Sequence, residues 1–386
     1  MDFSLSKEQA MLLESLRDMG KRENFKELAV EIDKTGEFPH ELMKKYAQMD
    51  LLGMTLSAEH GGADMDALTA ILAIEELAKF SPMIAAPVFE SNVGPARVIS
   101  LFGTEEQKKA VIPGVCSGDL SVSVCMTEPQ AGSDLTSLDT NVEEKDGHYV
   151  LNGTKVFITG GGMASHYLVY TRFEGIKGHK GIGAVLVESG AEGFTFGKQE
   201  VFLGLRGMPS CALYFDNVKI PKENVVIKAG DFGKLMLAFD IERCGNAAMC
   251  LGTAGGAFEE ARRYAMERQA FGRPICEFQG LQFTFADMAM KLDAARLLVY
   301  RAASGAGQGL PSIYEASMGK CYANEMVKEV TDAALQILGG YGYSTDYPLE
   351  RMVRDARAWQ VAGGSLQMLR VTIASVLFGR RFNQRA

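Results

Sequence analysis

Apolar positions recur at three- and four-residue spacing from residue 6 to about 110, which predicts a helical segment. One amphipathic run begins near Glu41 and ends around Leu51-Leu52, where Gly53 is placed to stop it. A second, over 67–79, sets Ile71, Leu72, Ile74 and Leu77 on a core-facing stripe. Glu59-His60-Gly61-Gly62 interrupts the pattern as a loop. From about 119 to 228 the period changes to two. His148-Tyr149-Val150-Leu151 and Thr154-Lys155-Val156-Phe157-Ile158 flank Asn152-Gly153, a dipeptide that suits tight hairpin turns, so a hairpin is expected there. Residues 167–171, 182–187, 194–196 and 212–218 are further strand candidates in a small antiparallel unit. Helical spacing returns from about 232 to 381, in four long stretches over 239–268, 280–301, 311–338 and 364–378. The expected fold is α+β: N-terminal helices over 1–118, a middle antiparallel β domain over 119–228 and a C-terminal four-helix bundle over 229–386.

Length and composition narrow the class. A chain of 386 residues is long enough for two or three packed units, and 47% apolar with 23% charged residues excludes a disordered or fibrous protein. The net charge of −8 argues against nucleic acid or anionic lipid as a general partner. Seven cysteines (Cys116, Cys125, Cys211, Cys244, Cys250, Cys276, Cys321) form no CxxC, and read as buried thiols in a reducing compartment. His40, His60, His148, His166 and His179 are scattered without ligand spacing, so no metal is expected. Met1-Asp2-Phe3-Ser4 leads into charged sequence without a signal-peptide pattern, and no apolar run is long enough for a membrane span. A cytoplasmic location is therefore expected. There is no Walker-type loop, and Gly160-Gly161-Gly162 lacks the strand–helix context of a dinucleotide fingerprint.

Four segments carry chemistry: Met126-Thr127-Glu128-Pro129-Gln130-Ala131-Gly132-Ser133-Asp134; Asn152-Gly153-Thr154-Lys155 with Phe157-Ile158-Thr159; Arg268-Gln269-Ala270-Phe271-Gly272; and Gln336-Ile337-Leu338-Gly339-Gly340-Tyr341-Gly342. In this order and spacing they make the chain resemble the acyl-CoA dehydrogenase family of flavoproteins over essentially its whole length. The resemblance implies non-covalent FAD between the β domain and the bundle, with a CoA thioester bound against it. It assigns Met126, Thr127 and Thr159 to the flavin's polar edge and Phe157 to its aromatic wall. Arg268 is assigned to the pyrophosphate, with Phe271 in the same cofactor segment. Gln336, Gly339 and Gly340 make the second half of that cradle, supplied by a neighbouring subunit, so a homo-oligomer is implied, a tetramer or else a dimer. Ser133 resembles the serine that contacts the CoA portion. Read alone, these residues have plainer roles: strand hydroxyls, core packing, a turn or cap, a solvated helix end and a helix stop.

The sequence departs from the family at the catalytic base. The family's glutamate lies in a Tyr-Glu-Gly-Thr type turn before the last helix, and here that turn reads Ala362-Gly363-Gly364-Ser365-Leu366-Gln367. The base position falls on Gly363, whose N–H could still polarise a thioester carbonyl. Ser365 and Gln367 match flavin-contacting positions. Some members place the glutamate on a bundle helix just before an arginine, which points to Glu242 in Phe239-Asp240-Ile241-Glu242-Arg243. Asp240 and Arg243 then become candidates for positioning CoA. Glu90, in Val88-Phe89-Glu90-Ser91-Asn92, falls by register near the pocket floor, as a contact for a polar or ring-shaped acyl group or as an alternative base. Losing two large side chains at 362–363 favours a branched, alicyclic or otherwise bulky acyl group. The implied activity is α,β-dehydrogenation, with electrons passed to an electron-transferring flavoprotein. Two other readings stand beside it: an enoyl-CoA reductase of the crotonobetainyl-CoA reductase kind, and a binding or assembly protein that has lost chemistry.

Overall fold

The computed structural model describes residues 4–306 and 310–382. Seven helices come first: α1 (Lys7–Arg22), α2 (Phe25–Thr35), α3 (His40–Ala47), α4 (Ala67–Ala78), α5 (Pro82–Asn92), α6 (Ala96–Phe102) and α7 (Glu105–Ser117). Local chemistry sets their starts. Ser6 and Gln9 form a reciprocal capping box on α1, and Thr104 with Gln107 does the same for α7. The helix expected to run from 41 to 52 stops at Ala47, because Asp50 turns the chain through a left-handed conformation (φ 53°). Leu51 and Leu52 are nevertheless buried, so the apolar spacing was a packing signal rather than a helical one.

An eight-stranded sheet follows: β1 (Val122–Cys125), β2 (Asn141–Lys145), β3 (His148–Thr159), β4 (His166–Phe173), β5 (Ile182–Glu188), β6 (Phe194–Gln199), β7 (Ser210–Ile220) and β8 (Val225–Ile227). Most pairings are antiparallel, but β1 and β2 run parallel to β4. The hairpin expected at Asn152-Gly153 does not form. The strand β3 continues through it, and the turn is made by Asp146-Gly147, both at positive φ, between β2 and β3. Two Asx-Gly dipeptides thus competed for one turn. Asn152-Gly153 lies instead where pairing with β7 slips by a residue. Along β4, Leu168 and Tyr170 face the core shared with α6 and α7, while Tyr167 and Val169 face a core made by the sheet's own strands, with Leu151, Phe194 and Phe215. Burial on both faces explains its continuous apolar run.

The bundle comprises α8 (Phe232–Glu267), a short β9–β10 hairpin (Gln269–Ala270, Arg273–Pro274), α9 (Gln279–Ser304), α10 (Ile313–Leu338), α11 (Gly340–Tyr343), α12 (Leu349–Ala358) and α13 (Leu366–Leu377). One continuous core joins it to α1–α5 through the small face of α8, including Ala247, Ala254 and Ala257. The β6–β7 loop is pinned to α12 where Asp355 accepts from Leu205 N–H at 2.6 Å. Arg354 beside it binds Asp33 of α2. All seven cysteines are free thiols, five of them buried. No helix among the described residues is long and apolar enough to cross a membrane.

Candidate active site

The turn between α12 and α13 supplies the first half of the site. Gly363 (φ 64°) and Gly364 (φ 87°) take consecutive left-handed conformations that side chains disfavour. Lys320, fully buried on α10, closes this turn by donating to the carbonyls of Ala362 (2.7 Å), Gly363 and Gly364 (3.1 Å). With its carbonyl thus held, the Gly363 N–H is left without an acceptor among the described residues.

Glu242, on α8, faces the same turn. A Cβ built on Gly363 would lie 3.9 Å from Glu242 Oε1, 3.4 Å from Asn246 Nδ2 and 2.9 Å from Lys320 Nζ. Glu242 and Asn246 are one helical turn apart, so both project to this point. Asn246 is fixed in turn by Asn324 (2.9 Å), which also donates to the Trp359 carbonyl. The Glu242 carboxyl has no hydrogen-bond or ion-pair partner among the described residues. Burial and then the neighbouring Glu90 push it up to about 8, against the pull of Lys320 and Arg243. Burial moves Lys320 the opposite way, down to about 8.

Glu90 lies on α5 and lines a cavity of about 220 Å³ together with Thr159. It is likewise unpaired among the described residues, and burial raises it to about 7. Asp240 and Arg243 are both buried and bind each other, with the Arg243 guanidinium over the Phe239 ring at 5.5 Å. The two side chains thus hold each other in place, and Arg243 Nε remains without a partner.

The flavin-edge candidates sit on β3 and on the segment after β1. Thr127 accepts from Val156 N–H at 2.9 Å, which ties the two together. Behind them Lys155 and Glu128 make a buried ion pair (2.7 Å), and Lys155 also donates to the Met126 carbonyl at 3.0 Å. A bulge in β3 opposite β7 throws Phe157 into a left-handed conformation (φ 58°) with 59% of its surface exposed. Phe157 is therefore not core, and an exposed ring at a strained position fits an aromatic wall awaiting a flat ligand.

Arg268 caps the far end of α8, unpaired among the described residues, and shares a surface pocket of about 590 Å³ with Gly339 and Gly340. Those two glycines leave space where any Cβ would meet nothing, as a backbone cradle requires. Gln336 is exposed on the last turn of α10, and Phe271 stands 96% exposed at the tip of the β9–β10 hairpin. Arg268 and Gly339-Gly340 line one pocket of one chain, so a neighbouring subunit that supplied the glycines would supply Arg268 with them. That pocket lies roughly 40 Å along α8 from Glu242, at ~1.5 Å per residue. Ser365 caps α13 by accepting from Met368 N–H, Gln367 is exposed, and Ser133 is exposed beside Asp134, which caps a short 3₁₀ turn.

The donors and surfaces just described fit FAD: an unpaired arginine, a glycine cradle, and an extruded phenylalanine beside strand-edge hydroxyls. Sequence reasoning missed Lys320, Asn246 and the Lys155–Glu128 pair. For Lys320 a signal existed, since it lies on the stripe of Ala316, Ala323 and Val327, where a cation needs a partner. Among the described residues, Glu59, His60 and Glu105, in the loop and α7, form a further side-chain group with metal-ligand spacing away from the site.

Family models for the N-terminal, middle and C-terminal domains of acyl-CoA dehydrogenase match residues 6–119, 123–218 and 232–378. The chain belongs to the acyl-CoA dehydrogenase family and is an FAD-dependent oxidoreductase. It is 39% identical to the short-chain specific acyl-CoA dehydrogenase of Clostridium acetobutylicum, over 98% of this chain and 100% of that one. It is 35% identical to the caffeyl-CoA reductase-Etf complex subunit CarC of Acetobacterium woodii, over 96% and 98%. The solved butyryl-CoA dehydrogenase of Megasphaera elsdenii superposes with a TM-score of 0.94 at 36% identity, covering 98% of this chain and 100% of that chain.

Proposed function

We propose that this chain catalyses α,β-dehydrogenation of an acyl-CoA thioester with Glu242 as the base. The observation that carries the reading is the 3.9 Å between Glu242 Oε1 and the point where a side chain on Gly363 would begin. The carboxyl thus reaches, from another helix, the space that the family's turn glutamate would enter. The free Gly363 N–H donates to the thioester carbonyl, which stabilises negative charge as the α-carbon loses its proton. Glu242, deprotonated, takes that proton, and its lack of a hydrogen-bond partner leaves it available to do so. FAD, when bound, supplies the acceptor for the β-hydrogen and its electron pair. Lys320 holds the turn, and Asn324 fixes Asn246 beside it.

Lys320 Nζ fills the space at the Gly363 Cβ position, so the preference for a branched, alicyclic or otherwise bulky acyl group rests on the small side chain of Ala362. Straight C4 to C8 chains turning over best, with branched and alicyclic ones inert, would refute that preference. The expected electron partner is an electron-transferring flavoprotein, which the name of the Acetobacterium relative supports. A homo-oligomer follows from distance: a cradle roughly 40 Å from Glu242 lies too far for one FAD to reach both within a chain. Rapid mixing tests the base. Glu242→Gln should bind thioester yet lose flavin bleaching by about a thousandfold or more, and bleaching at the parent rate would remove Glu242 from the mechanism.

The same relative favours a second reading, reduction of an enoyl-CoA in the opposite direction. Bleaching by saturated thioesters, compared with reoxidation of the reduced enzyme by enoyl thioesters, separates the two.

A further inference from the structure

Glu90 is a carboxyl that the proposed chemistry does not use. It sits near the end of α5, whose last turn is locked. Asn92 donates to the carbonyls of Leu51 and Val88 (both 2.8 Å), and accepts from Thr55 N–H (3.1 Å). The side chain is given room by Gly94, because a Cβ there would lie 2.9 Å from Glu90 Oε2. A rigid helix end and a glycine thus hold the carboxyl in place without any group to bond it. Glu90 is half-buried and its carboxyl lines a cavity with no protein partner, so a ligand or water in that cavity completes its hydrogen bonding.

The surroundings say what kind of ligand. The cavity of about 220 Å³ that Glu90 lines also presents Ser123, Ser165 and Thr159, with Phe38 and Met163 as apolar wall. No lysine or arginine lines it; its titratable lining residues besides Glu90 are Asp119 and His40, and the Glu242 carboxyl lies close enough to repel Glu90. A distal carboxylate or sulfinate would meet the acids Glu90 and Asp119 with no lysine or arginine to offset them, His40 being the one lining side chain that can become cationic. A plain alkyl end would seal Glu90 away unpaired. A hydroxyl or amine would satisfy it.

We propose that the distal half of the acyl cavity is a hydrogen-bond-accepting subsite built on Glu90, and that the natural acyl group ends in a hydroxyl or amine donor. The inference rests on the thioester reading of the site and specifies its substrate class. A charge-assisted hydrogen bond to Glu90 is then made by the donor-bearing substrate alone.

The test uses the FAD-loaded enzyme at pH 8 and matched thioesters. One set is 3-phenylpropanoyl-CoA and its 4-hydroxyphenyl and 4-aminophenyl analogues; the other is hexanoyl-CoA with its 6-hydroxy and 6-carboxy analogues. Dissociation constants come from anaerobic flavin spectral titration. The donor-bearing members should bind about tenfold or more tighter than their parents, and the 6-carboxy member more weakly than either. Glu90→Leu should erase the donor preference and reverse it toward the alkyl and phenyl forms, with FAD content and thermal unfolding recorded to confirm a folded variant. If the parent enzyme prefers the unsubstituted chains, or if Glu90→Leu keeps the donor preference, the subsite is refuted. A failure of every thioester to perturb or bleach the flavin would instead strike at the proposed function itself. Preference for the hydroxyl over the amine, or the reverse, identifies which donor the subsite takes.

Discussion

Lys320 occupies the space into which a side chain on Gly363 would project, its Nζ 2.9 Å from the ideal Cβ position. The ammonium is bound there by three consecutive carbonyls, so it cannot step aside without losing them. Position 363 also has a φ of 64°, which costs a non-glycine residue about 1–2 kcal/mol. Returning the family's acid by Gly363→Glu should therefore fail. The expected outcome is loss of about 2 kcal/mol or more of stability, and no rescue of dehydrogenation when combined with Glu242→Gln. Thermal unfolding and rapid-mixing flavin reduction read the two effects, and a stable, active double variant would contradict the geometry.

The pH dependence follows from the ionisation of Glu242. As a base it must be deprotonated, and burial with the nearby Glu90 holds it up to about 8. The rate constant kcat/KM for dehydrogenation should rise about tenfold per pH unit below 8 and level off above it. Glu90→Gln removes a neighbouring negative charge, so the midpoint should move to lower pH. A midpoint that stays or rises would show that the two acids do not interact.

Stability carries the same signature with opposite consequence for the variant. A carboxyl with an ordinary value near 4.5 when unfolded and about 8 when folded resists deprotonation in the native state. Its contribution to stability is present in full below the unfolded value, declines as pH rises between the two, and reaches its lowest level above 8. Glu242→Gln should thus match the parent near pH 5 and exceed it by an increasing margin up to pH 8. Paired calorimetric melts of the FAD-loaded proteins across that range check the trend. A margin that shrinks with rising pH would mean the Glu242 carboxyl is stabilised, not strained, by its surroundings.

Helical and strand periods in the sequence carried the α, β, α order, because burial on one face imposes 3.6- and 2-residue repeats whatever the function. Turn choice was less legible. Asp146-Gly147 and Asn152-Gly153 have the same local preference, and only pairing with β2 and β7 decides between them. At the site, a vacant acid position and a glutamate before an arginine pointed to Gly363 and Glu242, since both are matters of residue type. What they meet was hidden. Lys320 reaches the turn across 42 residues of chain to Ala362, and such a contact leaves no local pattern. Phe157 was legible as an aromatic but not as an exposed one, since the bulge that extrudes it depends on register with β7.

The length of α8 makes a prediction about assembly. Glu242 and Arg268 stand roughly 40 Å apart on one helix at ~1.5 Å per residue, so under the proposed roles of Glu242 and Arg268 a cofactor beside Glu242 would take its pyrophosphate cradle from a second chain. Arg268→Ala and Glu242→Gln would then each inactivate a homo-oligomer, the first by weakening cofactor retention and the second by removing the base. Co-expressed, they should complement. A site that joins Glu242 of an Arg268→Ala chain to Arg268 of a Glu242→Gln chain contains both intact parts. Activity should therefore appear in the mixed oligomer, purified through distinct tags, at a substantial fraction of one parent site per pair. A mixed oligomer as inactive as either single variant would place base and cradle in the same chain and contradict the helix-length argument.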